Sequence, residues 1–283
     1  MEQATSVTEL RQYVQHWKDH GQSIAFVPTM GNLHAGHLSL VEKGQSLCDR
    51  SICSIFVNPM QFGPNEDWDH YPRTLEKDIA LLETARCDLV YLPTASELYP
   101  EGLDKISHVD VTDLTDRYEG AHRPGHFTGV ATVVLKLFNI VKPDVSVFGK
   151  KDYQQYRVIM KMVEDFNLDV RIVGQETTRE ASGLATSSRN QYLDEAQTEQ
   201  ASLIYQTLQQ AAQAIRQGER DFVTLESRAI EDLNSVGFKT DYFAVCSAET
   251  LRPASSDHRD LVILVAAALG STRLLDNIEL ALW

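Results

Sequence analysis

Positive charge is scarce in this 283-residue chain: 26 Lys and Arg stand against 40 Asp and Glu, for a formal net charge of -14. An acidic field repels nucleic acid and anionic membrane surfaces, so neither is expected as a partner. An anionic substrate then needs a local cluster of donors, because the global field opposes it. Cysteine is scarce too. Cys48, Cys53, Cys87 and Cys246 form no C-x-x-C pair and show no zinc spacing, which argues against a disulfide scaffold or a structural zinc site. Reduced, mostly buried thiols of a cytoplasmic protein are expected instead. Long apolar runs are missing: the stretch from Leu261 to Leu269 is strand-sized, too short to span a bilayer. The start, MEQATSVTEL, is neither basic nor apolar, so no secretory signal is expected. No internal repeat or low-complexity tract is visible. The remaining composition, 43% hydrophobic and 23% charged, suits one large globular domain or two modest ones.

What the chain does have is alternation. Ser6 with Glu9 resembles a capping box, and Val7, Leu10, Val14 and Trp17 follow at helical spacing, predicting a helix to about His20. Strands are predicted at 23–28, 51–57, 89–92, 145–148 and 170–173. Between them, helices are predicted after Gly36 and at 73–84, 127–141 and 152–166. Parallel neighbours need crossovers, so this order predicts an α/β fold, a doubly wound parallel sheet (Rossmann-like) over residues 1–175. After Gly174 the pattern changes to helices at 195–217 and 222–236, then strands at 242–246, 261–268 and 273–275. A smaller α+β domain is therefore predicted over 176–283, joined through a Ser-, Thr- and Gly-rich segment at 176–193.

The strongest local signal is PTMGNLHAGH, Pro28 to His37, after the first predicted strand and at a helix start. Ligands of open α/β sheets bind outside the carboxyl ends of the strands, and N–H groups at a helix start attract phosphate. Gly31 and Gly36 let a nucleotide approach the backbone. His34 and His37 lie three apart, so both rings can face one way and donate to phosphate oxygens. Capping histidines or a metal pair are plainer readings, and the H-x-G-H order after a strand-Pro-Thr turn is more specific than either. In FGKKDYQQ, Gly149 permits close approach and Lys151 offers a point charge. Asp152 there can cap the helix, bond a ribose hydroxyl or orient a magnesium ion's water. The Walker A spacing is missing. Thr186, Ser187, Ser188 and Arg189 suit phosphate. In NPMQF, Gln61 offers a donor and an acceptor to a hydroxy acid. Arg123 to Phe127, RPGHF, reads as a basic turn that caps the long helix. Each of these later segments, taken alone, reads equally well as an ordinary capped turn.

Together VPTMGNLHAGH, SIFVNPMQFGP, YPRT, RPGHFTGV, FGKKDYQQ, SSRNQYL and TRLLDNI, in this order from Phe26 to Ile278, resemble the pantothenate synthetase (pantoate–β-alanine ligase) family of the HxGH-motif nucleotidyltransferases. The resemblance implies ATP-dependent condensation of (R)-pantoate with β-alanine through a pantoyl-adenylate, releasing AMP and pyrophosphate. It implies ATP binding by Met30, Gly31, Asn32, Leu33, His34, Ala35, Gly36 and His37, with His37 as catalytic acid and His34 assisting. Gly149, Lys150, Lys151, Asp152, the backbone near Thr178, Thr186, Ser187, Ser188 and Arg189 would hold adenosine and phosphates. Among these, Lys151, Ser187, Ser188 and Arg189 would join the histidines in catalysis. Gln61, Gln155 and Asn58 would bind substrate, the two glutamines holding pantoate, and Gln61 would also meet β-alanine. Further implications are Mg2+ with ATP and a homodimer, with no metal site of protein ligands expected; from the two-part architecture, a C-terminal domain hinged at about residue 175 is expected to close over the site as a lid. Two positions depart from the family pattern: Lys150 stands where Glu is common, and Thr186 where Met or Leu is usual. An added cation beside Lys151 would alter ATP affinity or Mg2+ handling. Two rivals are a nucleotidyltransferase acting on a phosphorylated acceptor and a nucleotide-binding regulatory module. The neutral Gln61 and Gln155 argue against the first, and the retained His34, His37, Lys151, Ser187, Ser188 and Arg189 against the second.

Overall fold

Ser6 and Glu9 close the capping box that their spacing predicts: the Ser6 hydroxyl accepts the Glu9 N–H, and the Glu9 carboxylate accepts the Ser6 N–H, both at 3.2 Å. The computed structural model describes residues 1–63, 66 and 68–282; Pro64, at the end of SIFVNPMQFGP, lies outside them. Contacts divide the chain into two units, Met1–Lys150 with Gln155–Glu176, and Lys151–Gln154 with the residues from Thr177 onward.

The first unit begins with strand β1 (Glu2–Ala4) and helix α1 (Val7–Asp19). There follow β2 (Ile24–Thr29), α2 (Ala35–Gln45), β3 (Arg50–Ile55), α3 (Leu75–Thr84), β4 (Leu89–Tyr91) and two short helices, α4 (Ala95–Leu98) and α5 (Glu119–His122). Helix α6 (His126–Val141), β5 (Val145–Gly149), α7 (Tyr153–Asp165) and β6 (Arg171–Gln175) complete the alternation. All six strands pair in parallel, in the order β1-β4-β3-β2-β5-β6. The sheet is therefore doubly wound, as the alternation predicts. Strand β1 is an addition to that prediction. It has only three residues, two of them exposed, and is held at the sheet edge by backbone pairing with β4, so no apolar pattern announces it.

The chain builds from β2 out through β3 and β4, then returns to lay β5 on the other side of β2. That reversal opens the crevice where such sheets bind ligands, at the carboxyl ends of β2 and β5. Each face of β2 is covered. On one, Phe138 of α6 meets Phe26 and Phe148 edge-on, with ring centroids 6.4 and 6.3 Å apart. On the other, α2 lies so close that a Cβ on Gly44 would sit 2.9 Å from the Ala25 Cβ.

In the second unit, α8 (Glu195–Ala201), α9 (Leu203–Arg216) and α10 (Phe222–Ser235) precede β7 (Phe238–Ser247), β8 (Asp260–Leu269) and β9 (Thr272–Ala281). The strands form an antiparallel sheet, β7-β8-β9. Ile204, Leu208 and Ile215 of α9 and Leu233 of α10 bury against Phe243, Val245, Ile263 and Val265 of the sheet. The single helix expected at 195–217 is broken at Ser202, whose hydroxyl donates to the Glu199 carbonyl at 2.7 Å and competes with the helical ladder. Among the described residues no helix is long and apolar enough to cross a membrane.

Because α2 rests on β2 through Gly44, Gly44→Val is expected to lower the unfolding free energy by about 2 kcal/mol through overpacking. A urea titration measures this, and an unchanged midpoint would contradict the packing described.

Candidate functional site

Thr29 ends β2 with its hydroxyl donating to the Ser54 carbonyl at 2.7 Å and accepting the Gly31 N–H at 3.3 Å. Gly31 (φ 82°) and Asn32 (φ 48°) then both take the left-handed conformation. A Cβ at Gly31 would meet Asp78 Oδ2 and Ile55 Cγ2 at 3.0 Å. Asp78, on α3, is 1% exposed. Its Oδ2 accepts the Asn32 N–H at 2.9 Å, and its Oδ1 accepts the Leu33 N–H at 2.7 Å and the Thr74 hydroxyl at 3.1 Å. Sequence reasoning gave Asp78 no part, since an Asp on an amphipathic helix reads as a solvated residue. The signal available was the YPRT motif just before it, which puts Thr74 one helical turn away.

The histidines cap the helix this loop begins. His34 is the N-cap of α2, and its Nδ1 accepts the Gly36 N–H at 3.2 Å. His37 Nδ1 accepts the His34 N–H at 3.4 Å, and the rings lie 4.0 Å apart. A backbone N–H only donates, so both Nδ1 atoms present lone pairs. In the neutral rings the hydrogen then sits on Nε2. The N–H groups of Asn32, Leu33 and Gly36 have protein acceptors, and the donors of Met30–His37 include the two imidazole Nε2–H groups.

Asn58 is 1% exposed and faces inward. Its Oδ1 accepts the Met60 N–H at 3.3 Å and the Tyr99 hydroxyl at 2.7 Å; its Nδ2 donates to the Gly129 carbonyl and to Gln61 Oε1, each at 3.1 Å. Met60 N–H can only donate and Gly129 C=O can only accept, so the Asn58 amide has one orientation and fixes that of Gln61. Gln61 Nε2 points the other way, to Met30 Sδ at 3.1 Å, with a second hydrogen for a ligand oxygen. Asn58 thus bonds Gln61, and Gln61 offers a donor.

The RPGH turn, read from sequence as a helix cap, also acts on Gln61. His126 Nδ1 lies 2.8 Å from the Gln61 carbonyl and Nε2 3.1 Å from Arg123 Nη1. A carbonyl only accepts and a guanidinium only donates, so the ring is neutral and carries its hydrogen on Nδ1. Arg123 also grips Glu66 through two bonds of 2.8 and 2.6 Å. Burial, with the Arg123 charge second, lowers the His126 pKa to about 4. Gly129 packs on the same turn, where a Cβ would lie 2.4 Å from the Met60 carbonyl oxygen.

Gly149 ends β5, and Lys150 follows with its Nζ 2.7 Å from Glu176 Oε1. Gln155 stands in the first turn of α7. The second unit holds the remaining predicted residues. Lys151 Nζ lies 3.7 Å from Asp152 Oδ1. Residues 178–186 form a small hairpin, with Arg179 paired to Ala185 and the Thr186 N–H donating to the Thr178 carbonyl at 2.9 Å. Ser187 Oγ accepts the Arg189 N–H at 3.2 Å and caps the short turn containing Ser188 and Arg189. Among the described residues, no group of three or more His, Cys, Asp or Glu side chains gathers as a metal site.

His126 titrates at about 4 in the fold against an ordinary 6.5. The unfolded chain therefore takes up its proton first as pH falls. The stability from the neutral ring is full above about 6.5 and is lost toward about 4, amounting to about 3 kcal/mol. Denaturant titrations across that range are expected to show the slope. His126→Asn, which keeps a donor and an acceptor without a titrating ring, is expected to flatten it; an unchanged slope would exclude His126 as its source.

The family model for pantoate-beta-alanine ligase matches residues 2–279. A pantothenate synthetase of Alcanivorax borkumensis is 52% identical over 99% of this chain and 98% of its own. One of Shewanella loihica is 52% identical over 96% of each. Among solved structures, a pantothenate synthetase of Thermus thermophilus superposes with a TM-score of 0.92 at 42% identity, covering 98% of this chain and 99% of the other. A pantoate-beta-alanine ligase of Francisella tularensis, complexed with beta-gamma ATP and beta-alanine, gives 0.82 at 35% identity, covering 98% and 97%. With the HxGH loop at the switch point of the sheet and a match along nearly its whole length, the chain belongs to the pantoate–β-alanine ligase family.

Proposed function

We propose that this chain joins pantoate to β-alanine at the expense of ATP, through a pantoyl-adenylate that stays bound until the amine attacks it. The observation that carries this is the meeting of two loops at the ends of adjacent strands. Met30, ahead of the histidines, touches Gln61 Nε2 at 3.1 Å, so donors for a phosphate and for a hydroxy acid arise side by side.

The pantoate carboxylate attacks the α-phosphorus, the bond to the β-phosphate oxygen breaks, and pyrophosphate leaves. Carboxylate and triphosphate repel, so catalysis rests on aligning them and neutralising charge. The Nε2–H groups of His34 and His37 donate to phosphate oxygens, with His37 as the acid. Lys151, Ser187, Ser188 and Arg189, which the family resemblance assigns to ATP, offer a cation, two hydroxyls and a guanidinium fork suited to phosphate. Gln61 Nε2 donates to pantoate, as does Gln155. β-Alanine's neutral amine then attacks the acyl carbon and AMP departs, with water kept away from the adenylate.

Mg2+ would travel on the phosphates and neutralise their charge; the Asp152 carboxylate, whose side chain is 48% exposed, would accept a hydrogen bond from the ion's water. A homodimer in the cytoplasm, as expected for the family, is part of the same reading.

Purified protein given ATP, Mg2+, pantoate and β-alanine is expected to yield AMP and pantothenate, with pyrophosphate exchange into ATP dependent on pantoate. ATP turnover that ignores pantoate would sink the proposal. His37→Ala is expected to slow the exchange by about 10²- to 10³-fold, the scale of losing a preorganised donor, while its thermal melt stays within a few degrees of the parent. Exchange near the parent rate would remove His37 from the acid role.

A further inference from the structure

Asp276 and Asn277, from the TRLLDNI segment, are buried polar residues in the middle of β9 with no part in the chemistry above; they are 6% and 5% exposed. Neighbouring side chains on a strand point to opposite faces, and these two hold different segments. On one face, Asp276 takes both ends of the Arg179 guanidinium, at 2.6 Å to Nη1 and 2.9 Å to Nη2. Arg179 lies over the Tyr205 ring, 3.6 Å from its centroid, and also donates to the Gly183 and Asn277 carbonyls at 3.1 and 3.2 Å. Gly183 (φ 91°) seats the hairpin turn against that same ring, where a Cβ would fall 2.7 Å from Tyr205 Cδ1. The clamp therefore fixes the hairpin that leads directly into Thr186–Arg189.

On the other face, Asn277 Nδ2 donates to the Lys151 carbonyl at 2.8 Å. A second tether lies two residues on, where the Tyr153 hydroxyl donates to the Ala248 carbonyl at 3.1 Å. One strand thus holds the backbone of Lys151 with one side chain and the hairpin before Ser187 with the next. Lys151 is a long, flexible cation. Where its ammonium can reach is set by where its backbone is held, and a displacement of about 1 Å in a positioning group can slow a reaction about a hundredfold.

We propose that Asn277 is a positioning residue for Lys151, and that the Asp276–Arg179 pair fixes the register between Lys151 and the hydroxyl–guanidinium turn after the hairpin. This rests on the reading of Lys151 as the phosphate-binding cation.

The test is a double-mutant cycle on the full-length protein, with kcat/KM for ATP in pantoate-dependent pyrophosphate exchange as the readout. Asn277→Ala is expected to lower it about ten- to a hundredfold, and Lys151→Ala to lower it further. The Lys151→Ala/Asn277→Ala double variant is expected to match Lys151→Ala alone, because a residue acting only through Lys151 has nothing left to position. A role confined to the fold would instead multiply the two losses, and that outcome overturns the proposal. So does an Asn277→Ala variant with parent kinetics. Should Asn277→Ala melt near the assay temperature, the same cycle with Asn277→Leu, which nearly keeps the volume, removes the donor and adds no charge, is read by the same criteria. A Lys151→Ala variant as active as the parent would instead sink the reading of Lys151 on which the proposal stands.

Discussion

A buried carboxylate holds the loop on which the histidines depend. Gly31 and Asn32 take consecutive left-handed conformations, and for a residue with a side chain that conformation costs roughly 1–2 kcal/mol. The strain persists because Asp78 accepts the next two N–H groups, of Asn32 and Leu33. Hydrogen bonds to a charged group contribute roughly 1.5–3 kcal/mol each, so the pair outweighs the strain. The turn then delivers His34 to the N-cap of α2, from which His37 follows one turn later. Asp78 touches neither ring, yet the direction of both follows from it.

A second constraint runs through neutral amides. Gln61 could offer a ligand either its oxygen or its nitrogen, and the choice is made by backbone groups two bonds away. Met60 N–H and Gly129 C=O fix Asn58, and Asn58 fixes Gln61. The Gln61 carbonyl is held in turn by the Nδ1–H of His126, whose tautomer is set by Arg123. Polarity reaches the Nε2 end of Gln61 by a chain in which each member can only donate or only accept at the contact that matters. Such a chain needs no net charge.

These chains explain which parts of the molecule were legible in the sequence. Strand–helix alternation gave the parallel sheet, because crossovers leave periodic apolar runs. The segment from Pro28 to His37 stood out because its glycines and histidines have few other uses in that order. Asp78 was given no role; Asn58 was expected to bind substrate and is bonded to Gln61; and the RPGH turn was read only as a cap. A buried Asp on a helix and a buried Asn at a turn carry the same letters as solvated ones; only the partners across the fold, distant in sequence, distinguish them. Edge strand β1 and the break at Ser202 were missed for a local reason: three residues make no period, and one serine hydroxyl interrupts a helix without disturbing its apolar stripe.

The departure at position 150 has a physical answer within the first unit. Lys150 Nζ pairs with Glu176 Oε1 at 2.7 Å. Its stem lies over Gly174 of β6, where a Cβ would come within 2.9 Å of Lys150 Cε and of Tyr156 Cζ. The side chain therefore runs along the neighbouring strand. Glu176 is 78% exposed, so the pair adds little stability. Its effect is directional: a Lys with a carboxylate partner one strand away keeps its charge on the β6 side of the loop. A Glu at 150 would meet Glu176 as a like charge and turn elsewhere. The Lys at 150 and the acid at 176 are thus one feature of this chain, and the electrostatics of the loop follow from the pair rather than from either residue alone.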